Sequence, residues 1–136
     1  MREILFRGKT TMTGKWVEGT GILNDGRNTW IVKNKPNTAV KFGEEYFIVD
    51  PETIGQYTGL TDKNGRKIFE GDVVRVTHKG SSYVARIEWD KGGFWVSNPD
   101  VQIPDMLANI KTNYIEVIDN PELLEVSENE SKNTTD

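Results

Sequence analysis

Residues 50–74 read DPETIGQYTGLTDKNGRKIFEGDVV, and this stretch decides what kind of fold the chain can build. Pro51 pushes Asp50 towards extended backbone, so a strand end or turn is expected at Asp50-Pro51-Glu52-Thr53. Ile54 to Tyr57 then reads as one short strand and Lys67 to Phe69 as the next. Between them, Thr61-Asp62-Lys63-Asn64-Gly65-Arg66 contains an Asn-Gly pair. Asn-Gly tolerates the positive φ angles of a type I′ turn, so it signals a hairpin. Glu70-Gly71-Asp72 makes a second turn into a strand from Val73 to His78.

Working outward towards the C-terminus, the clearest alternation follows. Tyr83, Ala85, Ile87 and Trp89 share one face of a strand, and Val84, Arg86, Glu88 and Asp90 share the other. Gly80-Ser81-Ser82 joins this strand to Val73–His78, and Lys91-Gly92-Gly93 turns the chain into Phe94-Trp95-Val96. Three consecutive short antiparallel strands of this kind resemble the core of a small SH3-like β-barrel. Residues 99–111 hold the one helical pattern. Ile103, Met106, Leu107 and Ile110 fall at i, i+3, i+4 and i+7 behind Pro104, which predicts one short amphipathic helix. Tyr114 to Ile118 returns as a strand that would close the barrel. The closing residues EVSENESKNTTD have no apolar pattern after Val126, and a disordered acidic tail is expected over 125–136.

Towards the N-terminus, Ile4 to Arg7 and Trp16 to Leu23 read as the first two strands, with Thr13-Gly14 as the turn. Gly19-Thr20-Gly21 lies inside the second, where glycines mark bulges or twists. Thr29 to Lys33 and Tyr46 to Val49 follow as short apolar strands. Asn34 to Gly43 is a loop whose Pro36 cannot donate a ladder hydrogen bond. These segments make an N-terminal antiparallel sheet over 1–49, followed by a barrel-like part over 50–124. Together they form a single mainly β domain.

Composition narrows the classes of function. The 136 residues carry a net charge of −4 and no cysteine. Disulfides, thiol catalysis and thiolate metal sites are therefore excluded. The segment from Glu125 onward holds four acids against one lysine. That leaves 16 basic and 17 acidic residues in 1–124, a body close to neutral. Neither a pervasive nucleic-acid footprint nor an acidic mimic of DNA is present at that level. No apolar run approaches the roughly 20 residues needed to span a bilayer. MREILFRGK lacks the uninterrupted apolar stretch of a signal peptide, so a soluble cytoplasmic protein is expected.

Candidate chemistry is sparse. Asp50, Glu52, Asp62, Glu70 and Asp72 gather in the 50–74 block, but acid–base work needs two carboxyls at a fixed separation with one pKa raised. Asp72, directly after glycine at a strand start, reads instead as a turn cap. In Asp62-Lys63-Asn64-Gly65 the glycine arrives too early for a calcium loop. His78 is the only histidine, and it reads as a polar residue ahead of a turn. The remaining constellation is basic and aromatic: Arg75, Lys79, Arg86, Lys91 and Trp95. Small β-barrels bind nucleic acid by stacking bases on aromatics beside a positive groove. Against this, Trp89, Tyr83 and Phe94 read as filling the interior, with Arg86 and Glu88 outside. Trp95 alternates against Phe94 and Val96, which points it towards an interface. Open strand edges with exposed aromatics favour a homo-oligomer.

The chain also resembles the YopX family of phage and prophage proteins. The residues carrying that resemblance are the start MREILFRGK, Gly14-Lys15-Trp16-Val17, Val49-Asp50-Pro51-Glu52-Thr53, and Gly55-Gln56-Tyr57-Thr58-Gly59-Leu60. Asp62-Lys63-Asn64-Gly65, Glu70-Gly71-Asp72-Val73-Val74, IEWDKGGFWV at 87–96 and Glu116-Val117-Ile118 continue it to about Leu124. The resemblance implies a small phage-encoded protein with no catalytic set to carry over. The expectation is a non-enzymatic binding or self-assembling module without cofactor or metal. Its partners would be copies of itself and a host or phage macromolecule, with nucleic acid binding through Arg75, Lys79, Arg86, Lys91 and Trp95 as the alternative.

Overall fold

The computed structural model describes residues 3–35, 43–98 and 105–119. The chain is mainly β, its strand pairs are antiparallel, and it divides into two compact units, Met1–Tyr57 and Thr58–Asp136. The expected tail over 125–136 lies outside the described residues.

In the first unit, β1 (Phe6–Lys9) pairs with β2 (Trp16–Gly19) in the register Phe6↔Gly19 to Lys9↔Trp16. On its other edge β1 takes the first residues of β6 (Gly55–Thr61), with Arg7 opposite Gly55. A separate three-stranded meander follows the order β3 (Gly21–Asn24), β4 (Thr29–Lys35), β5 (Gly43–Val49). The single strand expected over Trp16–Leu23 is therefore two strands in two sheets, and its glycines make a corner instead of a bulge. Backbone crowding explains the residue choice. A Cβ on Gly19 would sit 2.3 Å from the Val32 carbonyl oxygen. After β5 a short 3₁₀ turn, Pro51–Thr53, is capped by Asp50, whose side chain accepts the Glu52 N–H at 3.0 Å.

In the second unit, the last residues of β6 lie beside β7 (Lys67–Phe69). A five-stranded sheet then runs in the order β11 (Asp105–Met106), β10 (Gly93–Ser97), β9 (Ser81–Asp90), β8 (Val73–His78), β12 (Ile115–Ile118). β12 adds to the free edge of β8, Ile115 opposite Val76, so the sheet gains a strand and stays open. No closed barrel forms among the described residues. The alternation in β9 sets the core: Ala85 and Ile87 are buried with Val74, Val76, Val96, Ile115 and Val117, and Tyr83 and Phe94 pack against them. Trp89 shares that face but stands 53% exposed at the strand end, edge-on to Phe94 at 4.9 Å. The strand outruns the core there, so the expectation that Trp89 fills the interior is corrected.

The expected helix over 99–111 is also corrected. Residues 105–111 form β11 and a 3₁₀ turn, Leu107–Asn109, while 99–104 lie outside the described residues. A 3₁₀ turn eclipses positions i and i+3. Leu107 and Ile110 therefore both reach the core, which reproduces half of a helical stripe without a helix.

The turns differ from the sequence reading in an instructive way. At Asp62–Arg66 only Gly65 has positive φ (80°), so Asn64 does not adopt the left-handed backbone that a type I′ turn requires. The two-residue turns with both central residues at positive φ are Lys79-Gly80 (51° and 82°) and Lys91-Gly92 (47° and 76°). They close β8–β9 and β9–β10, with His78 opposite Ser81 and Asp90 opposite Gly93.

Candidate functional site

Strand register assigns the side chains of the β3–β4–β5 sheet to two faces. One carries Ile31 and Val49, 0% and 1% exposed, and forms the small core of the first unit. Gly8 makes room for that core, since a Cβ there would already touch Val49 at 3.2 Å. The other face carries Leu23, Trp30 and Ile48 in one cross-strand row and Val32 with Tyr46 in the next. On this second face Leu23 is 47% and Tyr46 49% exposed.

A groove of about 500 Å³ opens where this face meets the β1–β2 hairpin, lined by Met12, Trp16 and Val17 from the hairpin and by Trp30, Tyr46 and Ile48 from the sheet. Its lining is overwhelmingly apolar, and Thr10, Thr13 and Lys15 supply its polar rim. Three side chains contact the aromatics. Arg7 lies 4.3 Å and Lys9 5.1 Å from the Trp16 ring centroid, a cation–π arrangement that holds positive charge beside the indole. Asp25 accepts the Trp30 indole N–H at 3.0 Å and so sets the ring's orientation. The N–H of Asn28, the Trp30 indole and the N–H of Arg27 together hold the Asp25 carboxyl below its ordinary pKa. Such a recess can bury apolar or aromatic surface; it presents no converging acid–base pair.

Sequence reasoning passed over this surface, although a signal was present. Trp30-Ile31-Val32 and Tyr46-Phe47-Ile48-Val49 are continuous apolar runs. Antiparallel strands with one solvated face alternate apolar and polar residues, whereas continuous runs belong to strands covered on both faces.

The residues singled out from the sequence do not form one patch. Arg75, Arg86 and Trp95 point to the same face of the five-stranded sheet, since Arg75 is opposite Val84, Arg86 opposite Ser97 and Trp95 opposite Glu88. Acids interleave with them: Glu88 beside Trp95, and Glu116 beside Arg75, where it also pairs with Lys63 at 3.3 Å. Lys79 and Lys91 occupy the turns at opposite ends of the ten-residue β9, about 30 Å apart. Trp95 is half-buried and donates its indole N–H to the Asp90 carbonyl at 2.7 Å, which ties it to its own hairpin.

The three aspartates of the 50–74 block, Asp50, Asp62 and Asp72, serve the backbone. Asp72 Oδ2 accepts the Phe69 N–H at 2.7 Å, the turn cap read from the sequence. Asp62 is 5% exposed; one oxygen accepts the N–H groups of Asn64 and Arg66, and the other that of Val117, each at 2.9 Å. Burial alone would raise its pKa. The Val117, Arg66 and Asn64 N–H groups and the Arg66 charge outweigh burial and lower it.

His78 is exposed, its ring 4.7 Å from that of Tyr114. Both border a second recess of about 410 Å³ with Tyr83, Asp105, Asn109 and Lys111. Burial and then the Asp105 charge raise the Tyr83 hydroxyl pKa. Among the described residues, no three His, Cys, Asp or Glu side chains gather as a metal site requires. No helix there is long and apolar enough to cross a membrane.

A family model described as YopX protein matches residues 5–125. The chain is also similar to a solved structure, the crystal structure of protein EF1440 from Enterococcus faecalis. The identity is 25%, the match covers 91% of this chain and 99% of that one, and the TM-score is 0.54. None of the curated proteins matches it.

Proposed function

Because this chain belongs to the YopX protein family, we propose that it is a non-enzymatic accessory protein of phage or prophage origin. It acts in the bacterial cytoplasm by binding another protein surface. The observation that carries this reading is the distribution of exposed apolar side chains among the described residues. Ile4, Met12, Trp16, Ile22, Leu23 and Tyr46 stand exposed in the first unit, against Trp89 and Met106 in the second. Contiguous exposed apolar surface marks interaction sites in globular proteins. Of the first unit's exposed side chains, Met12, Trp16 and Tyr46 line a single groove, whose Trp16 and Trp30 are already contacted by Arg7, Lys9 and Asp25.

The alternative of nucleic-acid binding through Arg75, Lys79, Arg86, Lys91 and Trp95 has less support. Nucleic-acid affinity comes largely from Lys and Arg on phosphates, and interspersed carboxylates oppose it. Glu88 and Glu116 are interspersed on that face, and Trp95 is already engaged.

The test is affinity capture from a bacterial host lysate with and without nuclease, using the intact chain and a Tyr46→Glu variant. A protein recovered by the intact chain in both halves and lost with Tyr46→Glu is the expected result. Recovery that disappears with nuclease and with Arg75→Glu, while surviving Tyr46→Glu, would replace this reading with the nucleic-acid one.

A further inference from the structure

We propose that the recess at the end of the second unit's core, beside His78, Tyr83 and Tyr114, binds a small aromatic zwitterion of the amino-acid class. The site belongs to the second unit alone and is independent of the apolar groove.

The recess exists because a strand outruns its core. On β8, Val74, Val76 and His78 share one face, and on β9 Tyr83 takes the same side opposite Val76. Val74 and Val76 are buried there, with Ile110 and Tyr114 packed against them. The core ends at Val76, but β8 continues to His78, whose ring lies 4.7 Å from that of Tyr114 at a tilt of 52°. Beyond the last core layer is a hollow of about 410 Å³, based on Val76 and Ile110 and walled by His78, Tyr83 and Tyr114. Small-molecule sites combine a volume of about 300–1,000 Å³ with apolar and aromatic walls and a few convergent polar groups.

Those polar groups are Asp105, Asn109 and Lys111, joined by the Tyr83 hydroxyl. The second unit uses its other charged groups in the fold. Asp62 and Asp72 accept backbone N–H groups, Lys63 pairs with Glu116, and Arg66 pairs with Asp119. Among the described residues, the side chains of Asp105, Asn109 and Lys111 take part in no such bond. They are brought to one hollow without a structural task.

Charge selects the ligand. One carboxylate and one ammonium border the same space, so a molecule with one cationic and one anionic group satisfies both. Charge-assisted hydrogen bonds are about twice as strong as neutral ones. A phosphate would meet Lys111 but also Asp105, and no second Lys or Arg lines the hollow among the described residues. A purely apolar ligand would strip water from both charges and pair neither. The His78 and Tyr114 rings offer an aromatic ring edge-to-face or offset contact, and the Asn109 amide can donate or accept.

L-Tryptophan is the probe, followed by NMR of the full chain. The chain has one histidine, so the His78 ring gives a single set of signals from the wall of the recess. Those signals should shift saturably on titration. Asp105→Asn and Lys111→Gln, both at exposed positions, should each weaken binding about tenfold, while Arg75→Gln should not. Truncated probes separate the two charge contacts. Tryptamine, which lacks the carboxylate, should be weakened by Asp105→Asn and indifferent to Lys111→Gln; indolepropionate, which lacks the ammonium, should show the reverse. His78 signals that stay fixed in millimolar L-tryptophan overturn the proposal, as does binding indifferent to both variants. A Lys111-dependent shift with adenosine monophosphate and none with L-tryptophan would replace the amino-acid class by a nucleotide.

Discussion

Among the described residues of Thr58–Asp136, eleven apolar side chains are buried and two large ones are exposed; in Met1–Tyr57 three are buried and six large ones are exposed. The two units have nearly the same vocabulary of short antiparallel strands. They differ in where alternation sends the apolar residues. In the second unit, β8, β9, β10 and β12 send most of theirs to one shared core, and on the opposite side Val73, Val84, Trp95 and Ile118 alternate with Arg75, Arg86, Glu88 and Glu116. In the first unit β4 and β5 carry apolar residues on both sides: Ile31 and Val49 are buried on one, while Trp30, Val32 and Ile48 are half-buried and Tyr46 exposed on the other. The first unit therefore keeps a larger share of its described apolar side chains in contact with solvent than the second does.

The sharpest way to break this contrast is to remove one apolar side chain from each unit. Ile87, fully buried in β9, should cost about 2–5 kcal/mol on truncation to alanine. Leu23→Ala in dilute solution should fall within about 0.5 kcal/mol of the intact chain. Urea denaturation of the two variants checks both. A large loss at Leu23 at low concentration would mean that its face is core after all.

Next in size is Gly19→Ala. The added Cβ would meet the Val32 carbonyl oxygen and the Ile31 side chain, backbone and core atoms that cannot swing away. Overpacking of this kind costs about 1–3 kcal/mol. The loss should be local: amide exchange is expected to accelerate across β3, β4 and β5 and stay unchanged in β8 and β9. The tryptophans give an independent reading, because Trp16 and Trp30 belong to the first unit and Trp89 and Trp95 to the second. Uniform acceleration through both units would show that the contrast has no energetic counterpart.

These experiments concern positions that the sequence made unequally legible. The period-2 pattern from Tyr83 to Trp89 is long enough to fix a strand and its core face, and Ala85 and Ile87 are buried accordingly. Its limit is Trp89, because alternation reports direction and not how far the core extends. Ile103, Met106, Leu107 and Ile110 fit a helical stripe, but the i, i+3 spacing of Leu107 and Ile110 is equally that of a 3₁₀ turn. Gly19-Thr20-Gly21 fits a bulge as well as a corner; only the approach of β4 separates them. The candidate groove was missed for a related reason. Each strand alone looks short and apolar, and a doubly apolar sheet emerges only when β3, β4 and β5 are set in register.

An effect of the same order is expected at Asp62, the buried carboxylate that ties the β6–β7 turn to β12. Asp62→Asn keeps the shape and one acceptor oxygen, but sets an amide NH₂ against backbone N–H groups, at a cost of about 1–3 kcal/mol. The folded-state pKa of Asp62 is lowered. Its contribution is therefore complete above the unfolded carboxylate pKa of about 3.9 and is lost as pH falls through the lower folded value. Stability measured from pH 6 down to pH 3 should drop less steeply in Asp62→Asn than in the intact chain. Parallel pH curves would remove Asp62 from the list of groups that hold the second unit together.

The smallest effect bears on which unit meets the outside world. Lys79 and Lys91 occupy left-handed backbone, at φ 51° and 47°, where a side chain other than Asn, Asp or Gly is disfavoured by roughly 1–2 kcal/mol. Each sits first in a two-residue turn whose second residue is glycine, the pattern that Asn-Gly satisfies best. Lys79→Asn and Lys91→Asn should therefore each raise stability, by up to about 1 kcal/mol. The same substitutions delete two of the five residues of the basic–aromatic set. If the first unit supplies the binding surface, the double variant melts higher and captures its partner as well as the intact chain does. If the lysines are kept at a conformational cost because they contact phosphate, the double variant melts higher and binds more weakly, with a shallower dependence on salt. Stability alone reads the turn, and stability together with binding reads the reason a lysine stands there.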